Sequence, residues 1–260
     1  MSPQLITILT TSAGVIAAMM FVVWLISLAI KDASIVDLIW GLGFVLVGWA
    51  SFVTASSDNW LLPLLTSIWG LRLSIYLAWR NHGQPEDSRY QAMRKRHGSS
   101  FPLVSLLTVF GLQGVIMWIV SLPIQAGAIE RNTPWHWLQF AGVVLWGSGL
   151  FFEAVGDWQL ARHKANPANS GRVLDIGLWR YTRHPNYFGD FLVWWGLYVI
   201  AVSTSGAWWT VIGPATISIF LMRVSGVTLL EKSLKQNKPR YGEYISRTNA
   251  FFPGRPRSPQ

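Results

Sequence analysis

The densest group of polar side chains in this sequence immediately precedes an apolar stretch. Residues 177–190 read GLWRYTRHPNYFGD and contain two arginines, a histidine, an asparagine, two tyrosines and an aspartate. Pro185 is typical of the first turn of a helix, where backbone N–H groups lack partners inside the helix and the helix dipole is positive. Cationic side chains at such a helix start favour binding of a phosphate or a carboxylate, and we predict that His184 contacts the ligand.

Five ionisable residues, one of which is the Asp190 of this stretch, lie within or at the ends of apolar segments. They are Asp37, Arg72, Glu153, Asp157 and Asp190. An ionisable group at membrane depth is costly unless it is paired or hydrated, so each of them is a candidate functional residue. Arg72 requires an anionic partner, and Asp37 is one candidate. Such a pair either fixes helix packing or holds an anionic or carbonyl group of a ligand.

Several other kinds of site are not supported by the sequence. The chain has no cysteine, which excludes disulfides, thiolate metal ligands and a cysteine nucleophile. Its five histidines form no closely spaced pair, so we expect no metal site. No serine lies in a nucleophile elbow, and Gly41-Leu42-Gly43 lacks the third glycine of a dinucleotide-binding fingerprint. We interpret these glycines as helix-packing residues.

The elements that position these residues are predicted to be membrane-spanning helices. Hydrophobic residues make up 51% of the 260 residues and charged residues only 13%, which is typical of a chain with lipid as its solvent. The fold class is therefore an all-α polytopic membrane protein. We predict seven transmembrane helices, at residues 5–30, 35–55, 60–78, 103–128, 137–153, 188–202 and 208–222. The last two are short and are separated by the turn signal at 203–206.

The basic residues indicate the orientation of these helices. Lys31 lies in the first loop, five basic residues lie between positions 80 and 96, five between 162 and 183, and eight from 223 onwards. With seven spans, 19 of the 21 basic residues fall on one side, which predicts an external N-terminus and a cytoplasmic C-terminus. The net charge of +9 is interpreted as contact with anionic lipid headgroups or a phosphorylated ligand, and not with nucleic acid.

Several stretches of the sequence resemble membrane steroid 5α-reductases. Residues 178–190, together with the tail residues Glu231, Tyr241, Tyr244 and Pro253, are similar to the C-terminal signature of that family. Residues 34–41 (SIVDLIWG), 72–77 (RLSIYL) and 86–90 (EDSRY) resemble its bacterial relatives. The resemblance covers nearly the whole chain. It is specific for the superfamily and less so for the reaction, because sterol reductases and isoprenylcysteine carboxyl methyltransferases share the Arg-His-Pro-x-Tyr element.

The resemblance implies a 3-oxo-5α-steroid 4-dehydrogenase that binds NADPH from the cytoplasm and reduces the carbon–carbon double bond of a 3-oxo-4-ene steroid or a similar lipophilic enone. Arginine and lysine suit a pyrophosphate and a 2′-phosphate, whereas asparagine and aspartate suit ribose or carboxamide groups. The positions that match the nucleotide site are Asn81, Arg89, Asp157, Lys164, Arg172, His184, Asn186, Tyr187, Asp190, Glu231, Tyr241 and Tyr244. A steroid entering from the bilayer would occupy an apolar cavity lined by Trp40, Phe44, Trp69 and Phe110.

The catalytic residues implied by the resemblance are Asp37, Arg72 and Tyr76. Negative charge builds on the ketone oxygen when hydride reaches the β-carbon of an enone, so a positioned donor lowers the barrier. The animal enzymes use a glutamate in helix two and a tyrosine in helix three. Asp37 is the nearest acid, Trp69 falls about where the tyrosine would be, and Tyr76 follows one turn after Arg72. Asp37 either donates itself or, if a cation pairs with it, orients another donor.

Two other functions remain open. One is an isoprenylcysteine-type membrane methyltransferase that uses S-adenosylmethionine, although Arg89, Lys164 and Arg172 favour NADPH. The other is a transporter or lipid-binding protein, against which the lack of an internal repeat argues. We expect a monomer in the bacterial inner membrane, with the cofactor site on the cytoplasmic side. Residues 1–260 are expected to form one membrane domain, in which residues 223–260 are a cytoplasmic tail packed on the cofactor face.

Overall fold

The computed structural model of the protein describes residues 2–129, 137–224, 227, 231, 234, 238 and 240–257. All regular secondary structure in these ranges is helical, which confirms the all-α class. The chain divides into two compact units. The first comprises Met1–His136 and Ile200–Gly213, and the second comprises Trp137–Val199 and Pro214–Gln260. That the whole chain forms one membrane domain stays a prediction.

Membrane-length helices dominate the first unit. Its helices are α1 (Pro3–Ile30), α2 (Ile35–Ala55), α3 (Leu61–Asn81), α4 (Ser88–His97), α5 (Phe101–Ser105), α6 (Leu112–Val120) and α7 (Leu122–Gly127). The 3₁₀ turn Gly98–Ser100 joins α4 to α5, and the π-helical stretch Leu106–Gly111 joins α5 to α6. The basic helix α4 therefore ends at a turn before the apolar part of the segment begins, and Gly98 makes that turn with a φ of 53°.

Close backbone contact between α2 and α3 depends on glycine. A Cβ atom on Gly41 would lie 2.2 Å from the carbonyl oxygen of Gly70, and one on Gly70 would lie 2.5 Å from that of Gly41. Neither position tolerates a side chain without separating the helices. Gly41 is thus a helix-packing residue, as the sequence predicts.

The remaining helices are α8 (Trp137–Ala165), α9 (Pro185–Ser205), α10 (Ile212–Ile219) and α11 (Tyr241–Arg247). Glycines again allow α8 and α9 to approach closely, since a Cβ atom on Gly149 would lie 2.6 Å from the carbonyl oxygen of Gly189. A Cβ atom on Gly156 would lie 3.2 Å from the backbone nitrogen of Asn186. This packing places Asp157 of α8 beside the first turn of α9, which begins at Pro185 as predicted.

Six helical segments are long and apolar enough to cross a membrane, and they make this chain an integral membrane protein. They are Pro3–Ile30, Ile35–Ala55, Leu61–Asn81, Ser88–Val120, Trp137–Ala165 and Pro185–Ser205. The fourth span ends earlier than the predicted limit of residue 128, because the helix is interrupted at Ser121. The seventh predicted span corresponds to a shorter apolar helix, Trp208–Val224. It follows a chain reversal at Gly206, whose φ is 66°.

Candidate functional site

A partly buried polar cluster surrounds Asp37 in the first turn of α2. One carboxylate oxygen accepts a hydrogen bond from Arg89 Nη2 at 3.0 Å, and the other accepts from Tyr90 Oη at 3.0 Å and from Gln113 Nε2 at 3.4 Å. Gln113 Nε2 also lies 3.2 Å from Tyr90 Oη. Arg89 Nε binds Asp87 Oδ1 at 2.9 Å, so this guanidinium joins two carboxylates. The cluster therefore couples α2, α4 and α6 within the first unit.

The cation bound to Asp37 is Arg89, and not Arg72, for which Asp37 was one candidate partner. Arg72 lies in α3 with its guanidinium 5.3 Å from the ring centroid of Tyr76, and Arg80 lies 5.8 Å from the same ring. These three residues follow one another at intervals of four along α3, which places them on one helical face. The structure thus separates the predicted catalytic set into a cation–π stack on α3 and an acid bound to α4.

The loop before α4 determines which cation reaches Asp37. Glu86 accepts the backbone N–H of Ala33 at 2.8 Å and two hydrogen bonds from Arg94, at 3.1 and 2.8 Å. Burial alone would raise the pKa of Glu86, but the hydrogen bonds from Arg94 and Ala33 outweigh burial and hold it below its usual range. Asp87 caps the N-terminus of α4 through the N–H of Arg89 at 2.9 Å. This anchored loop carries Arg89 to the start of α2.

Three of the four predicted substrate-binding residues contact one another. The Trp40 ring packs edge-on against Phe44 at 5.2 Å between centroids, and Phe44 lies 5.7 Å from Trp69. Phe44 and Trp69 are fully buried. Phe110 belongs to the π-helical stretch and lines an apolar cavity of about 580 Å³ between α1 and the α5–α6 segment. These residues supply apolar surface within the first unit, and a substrate cavity lined by all four stays a prediction.

The second polar cluster lies in the second unit and centres on Glu231. Its Oε1 atom accepts hydrogen bonds from Arg183 Nε at 2.7 Å and from His184 Nε2 at 3.2 Å. His184 is 1% exposed, and its ring stacks against Tyr187 at 5.5 Å with an interplanar angle of 7°. Within the described residues, the Nδ1 atom of His184 is buried without a hydrogen-bond partner. The sequence placed His184 and Glu231 in one site, and the structure brings them into contact.

Arg183 fastens the C-terminal tail to the segment before α9. Its Nη1 atom donates to the carbonyl oxygens of Ile245, at 3.3 Å, and of Thr248, and its backbone N–H donates to Asn249 at 2.9 Å. The Tyr244 hydroxyl donates to the carbonyl of Trp179. This guanidinium is therefore directed at the tail, a role that the sequence did not reveal because it showed only two basic residues beside a helix start.

Aromatic residues make further tail contacts, of which Phe251 is buried and Phe252 is exposed. Phe252 packs against Phe188 and Phe191 of α9, at 6.1 and 5.8 Å between centroids. Tyr241 and Tyr244 are each 3% exposed. Burial raises the pKa of the Tyr241 hydroxyl to about 12 and that of Tyr244 further above its usual range. Both tyrosines are hence neutral anchors of the tail at physiological pH.

The negative charge of Glu231 helps to hold Arg183, and through it the C-terminal tail, in place. Burial alone would raise its pKa, but the hydrogen bonds from His184 and Arg183 outweigh burial and lower the pKa to about 2 from its ordinary 4.5. Because the folded-state pKa is depressed, the ion pair stabilises the fold fully above the unfolded-state pKa of 4.5. That stabilisation is lost as the pH falls through about 2.

A third polar contact joins α8 to α9. Asn186 Nδ2 donates to Asp157 Oδ1 at 3.0 Å, and the backbone N–H of Tyr187 lies 3.1 Å from Asn186 Oδ1. Asp157 and Glu153 are both buried on α8. The helix start thus carries a fixed amide and a carboxylate, both of which match positions predicted for a nucleotide site.

The other predicted nucleotide residues are divided between the units. Asn81 and Arg89 belong to the first, where Arg80 Nε binds Asn81 Oδ1 at 3.1 Å. Lys164, Arg172 and Asp190 belong to the second. The carbonyl of Arg172 accepts from Lys238 Nζ at 2.6 Å, and Arg172 lines a polar cleft of about 1160 Å³ beside α11.

Two residues of the first cluster were missed as site residues. Tyr90 was considered only within a matching segment, and Gln113 not at all. A signal for Gln113 was present, because it is a polar residue between apolar neighbours in a predicted span.

The helical fold and these polar clusters define a polytopic membrane protein with polar sites at the starts of its helices. Residues 23–248 match the family described as "Protein of unknown function (DUF1295)", and the chain belongs to this family. The family includes steroid 5-alpha-reductase-like proteins.

Two curated proteins show different extents of similarity. An uncharacterized protein of Schizosaccharomyces pombe is 23% identical over 267 residues, which cover 89% of this chain and 76% of that protein. Steroid 5-alpha-reductase DET2 of Solanum lycopersicum is 28% identical over 109 residues, which cover 42% of this chain and 42% of that protein. No solved structure matches this chain significantly.

Proposed function

We propose that this protein is a membrane-embedded reductase that uses NADPH to reduce the carbon–carbon double bond of a 3-oxo-4-ene steroid or a similar lipophilic enone. The observation that carries the proposal is the contact between the buried Asp157 and the partly buried Asn186 at the start of α9, next to His184. The partial similarity to Steroid 5-alpha-reductase DET2 supports a reductase. Buried polar groups fixed at a helix start are typical of a site that binds a polar cofactor.

The residues of the second unit fit a nicotinamide nucleotide. Lys164 and Arg172 supply positive charge for phosphate groups. Asp157 and Asn186 offer a carboxylate and an amide suited to ribose hydroxyls or a carboxamide, and the buried Nδ1 atom of His184 adds hydrogen-bonding capacity. Bound NADPH would supply the hydride.

The residues of the first unit fit the lipophilic substrate. Trp40, Phe44 and Trp69 provide an apolar surface, and residues 37, 40 and 44 recur at helical spacing on α2. Asp37 lies 3.0 Å from Arg89 Nη2 and accepts hydrogen bonds from Arg89, Tyr90 and Gln113, so it is placed to orient these neighbouring groups. This assigns Asp37 the orienting role, while Arg72 and Tyr76 form a separate stack.

NADPH is expected to bind at least about tenfold more tightly than NADH, because one charge-assisted hydrogen bond to the 2′-phosphate contributes roughly 1.5–3 kcal/mol. Titration of the detergent-purified protein with each nucleotide measures the two dissociation constants. Lys164→Gln should weaken NADPH binding and leave NADH binding unchanged, and Lys31→Gln in the first unit is a charge-matched control. Equal affinities for both nucleotides, or tighter binding of S-adenosylmethionine, would contradict the proposal.

We further propose that the helix Trp208–Val224 is a seventh span, which puts the N-terminus outside and the C-terminus in the cytoplasm. The support is the one-sided distribution of basic residues that seven spans produce. In a bacterial inner membrane this orientation exposes the cofactor residues to cytoplasmic NADPH, and the protein acts as a monomer surrounded by membrane lipids. Alkaline phosphatase fused to the N-terminus should be active, and a fluorescent protein that matures only in the cytoplasm should fluoresce at the C-terminus. Both reporters on the same side would exclude seven spans.

A further inference from the structure

The orientation of the Gln113 side chain follows from the groups that face it. Its amide nitrogen lies 3.4 Å from Asp37 Oδ1 and 3.2 Å from Tyr90 Oη. Asp37 accepts from Arg89 through Oδ2 and from the Tyr90 hydroxyl through Oδ1, so the Tyr90 hydrogen points toward Asp37 and away from Gln113. Both facing oxygens are therefore acceptors toward Gln113, which requires the NH₂ group of the amide, and not its carbonyl, on that side.

This arrangement leaves hydrogen-bonding capacity on Gln113. The two oxygen atoms that face the amide nitrogen are only 3.0 Å apart, so one N–H can reach both and the second N–H is available to a ligand. The carbonyl oxygen of Gln113 has no hydrogen bond in the described part of the chain. Gln113 is partly buried in α6, and its sequence neighbours Leu112, Gly114 and Val115 are not polar. A polar group between apolar neighbours in a membrane-length segment is costly without a ligand or a packing role.

The surface beside this amide is apolar. Met117, one turn after Gln113, is fully buried, and a Cβ atom on Gly43 of α2 would lie 2.4 Å from its side chain. On α2 the residues that follow Asp37 on the same face are Trp40 and Phe44, which contact each other. These side chains close the α2–α6 interface, whereas the apolar cavity of about 580 Å³ is lined by Gly114 and Val115, the two residues that follow Gln113. A ligand that fits there has an apolar body with an oxygen at the end that faces the polar cluster.

We infer that Gln113 binds the oxygen atom of the lipophilic ligand, a ketone or a hydroxyl, through the second N–H of its amide. Asp37 and Tyr90 are positioning residues, because they fix the direction of that N–H and keep the amide from flipping. Arg89 does not contact the ligand in this arrangement and helps to fix the position of the Asp37 carboxylate through their 3.0 Å contact. The inference rests on the proposed substrate class and extends it by naming the group that recognises the ketone.

The test compares two steroids that differ by one oxygen. Androst-4-en-3-one and androst-4-ene, which lacks the ketone, are titrated against the full chain in lipid nanodiscs, with displacement of a tritiated 3-oxo-4-ene steroid as the signal. The unaltered protein should bind the ketone about tenfold more tightly, which is the scale of one buried hydrogen bond. Gln113→Met keeps the side-chain length and should remove this preference, because it lowers the affinity for androst-4-en-3-one and leaves the affinity for androst-4-ene unchanged.

Tyr90→Phe is the second variant, because it removes one of the two acceptors that hold the amide and should reduce the preference without abolishing binding. Thr108→Val alters an exposed hydroxyl of the same helical segment, which bonds only to Val104, and should change nothing. A ketone preference that survives in Gln113→Met overturns the inference while the proposed substrate class stands. If the unaltered protein binds NADPH but neither steroid, the substrate class fails and the inference fails with it.

Discussion

Asp37→Asn is expected to lower kcat/KM for a 3-oxo-4-ene steroid by about 100-fold or more, while NADPH affinity stays within a few-fold. Both carboxylate oxygens of Asp37 accept hydrogen bonds, one from Arg89 and the other from Tyr90 and Gln113. Asparagine keeps the shape, but its NH₂ group must face a donor, and its neutral side chain leaves Arg89 with one carboxylate instead of two. The groups that Asp37 orients would then lose their fixed direction. Steady-state turnover and nucleotide titration on the same purified sample separate the two effects.

Asp58→Asn is the matched control, since it removes an exposed acid that follows the other end of α2. It should leave both parameters unchanged. Near-parental turnover of Asp37→Asn, in a sample that remains monodisperse, would show that the Asp37 cluster only fixes the packing of α2, α4 and α6. A parallel loss of NADPH binding would instead indicate a general disturbance of the fold.

Arg183→Met is expected to destabilise the protein by about 3–5 kcal/mol, the usual cost of breaking a buried ion pair from one side. The substitution removes the hydrogen bonds to Ile245 and Thr248 and leaves Glu231 paired with His184 alone. Methionine retains most of the apolar stem, so the lost interactions are polar. Urea-induced unfolding in detergent measures the free energy, and limited proteolysis of residues 240–257 reports release of the tail.

The neighbouring Arg180 supplies the control for this experiment, because its side chain is exposed and only its backbone carbonyl contacts the tail. Arg180→Gln should change the stability by less than about 0.5 kcal/mol. The free energy of unfolding of Arg183→Lys should lie between those of Arg183→Met and Arg180→Gln, since lysine keeps the charge but lacks the planar guanidinium that donates to several acceptors. Unchanged stability and protease resistance in Arg183→Met would show that the aromatic contacts of Phe252 hold the tail without the ion pair.

Local sequence patterns were sufficient for the helical class and for most of the membrane spans. The length of an apolar stretch depends only on residues adjacent in the sequence, so α1, α2 and α3 begin and end within a few residues of their predicted limits. A helix begins at Pro185 and the chain turns at Gly206, as the sequence indicates. Proline restricts the backbone at its own position, whereas glycine allows a positive φ there. The grouping of His184 with Glu231 came from a family resemblance, which carries long-range information that composition lacks.

Only the tertiary structure decided which charged groups meet. The choice of Arg89 over Arg72 as the partner of Asp37 depends on the anchored loop at Glu86, which brings the start of α4 to the start of α2. Likewise Arg183 is directed at the tail because Thr248 and Asn249 return to it from more than sixty positions later in the chain. A helical period or a hydropathy profile describes neighbours along the chain, whereas ion pairing depends on distances of 3 to 4 Å across helices. The sequence therefore defined the charged residues available for pairing, and packing selected the pairs.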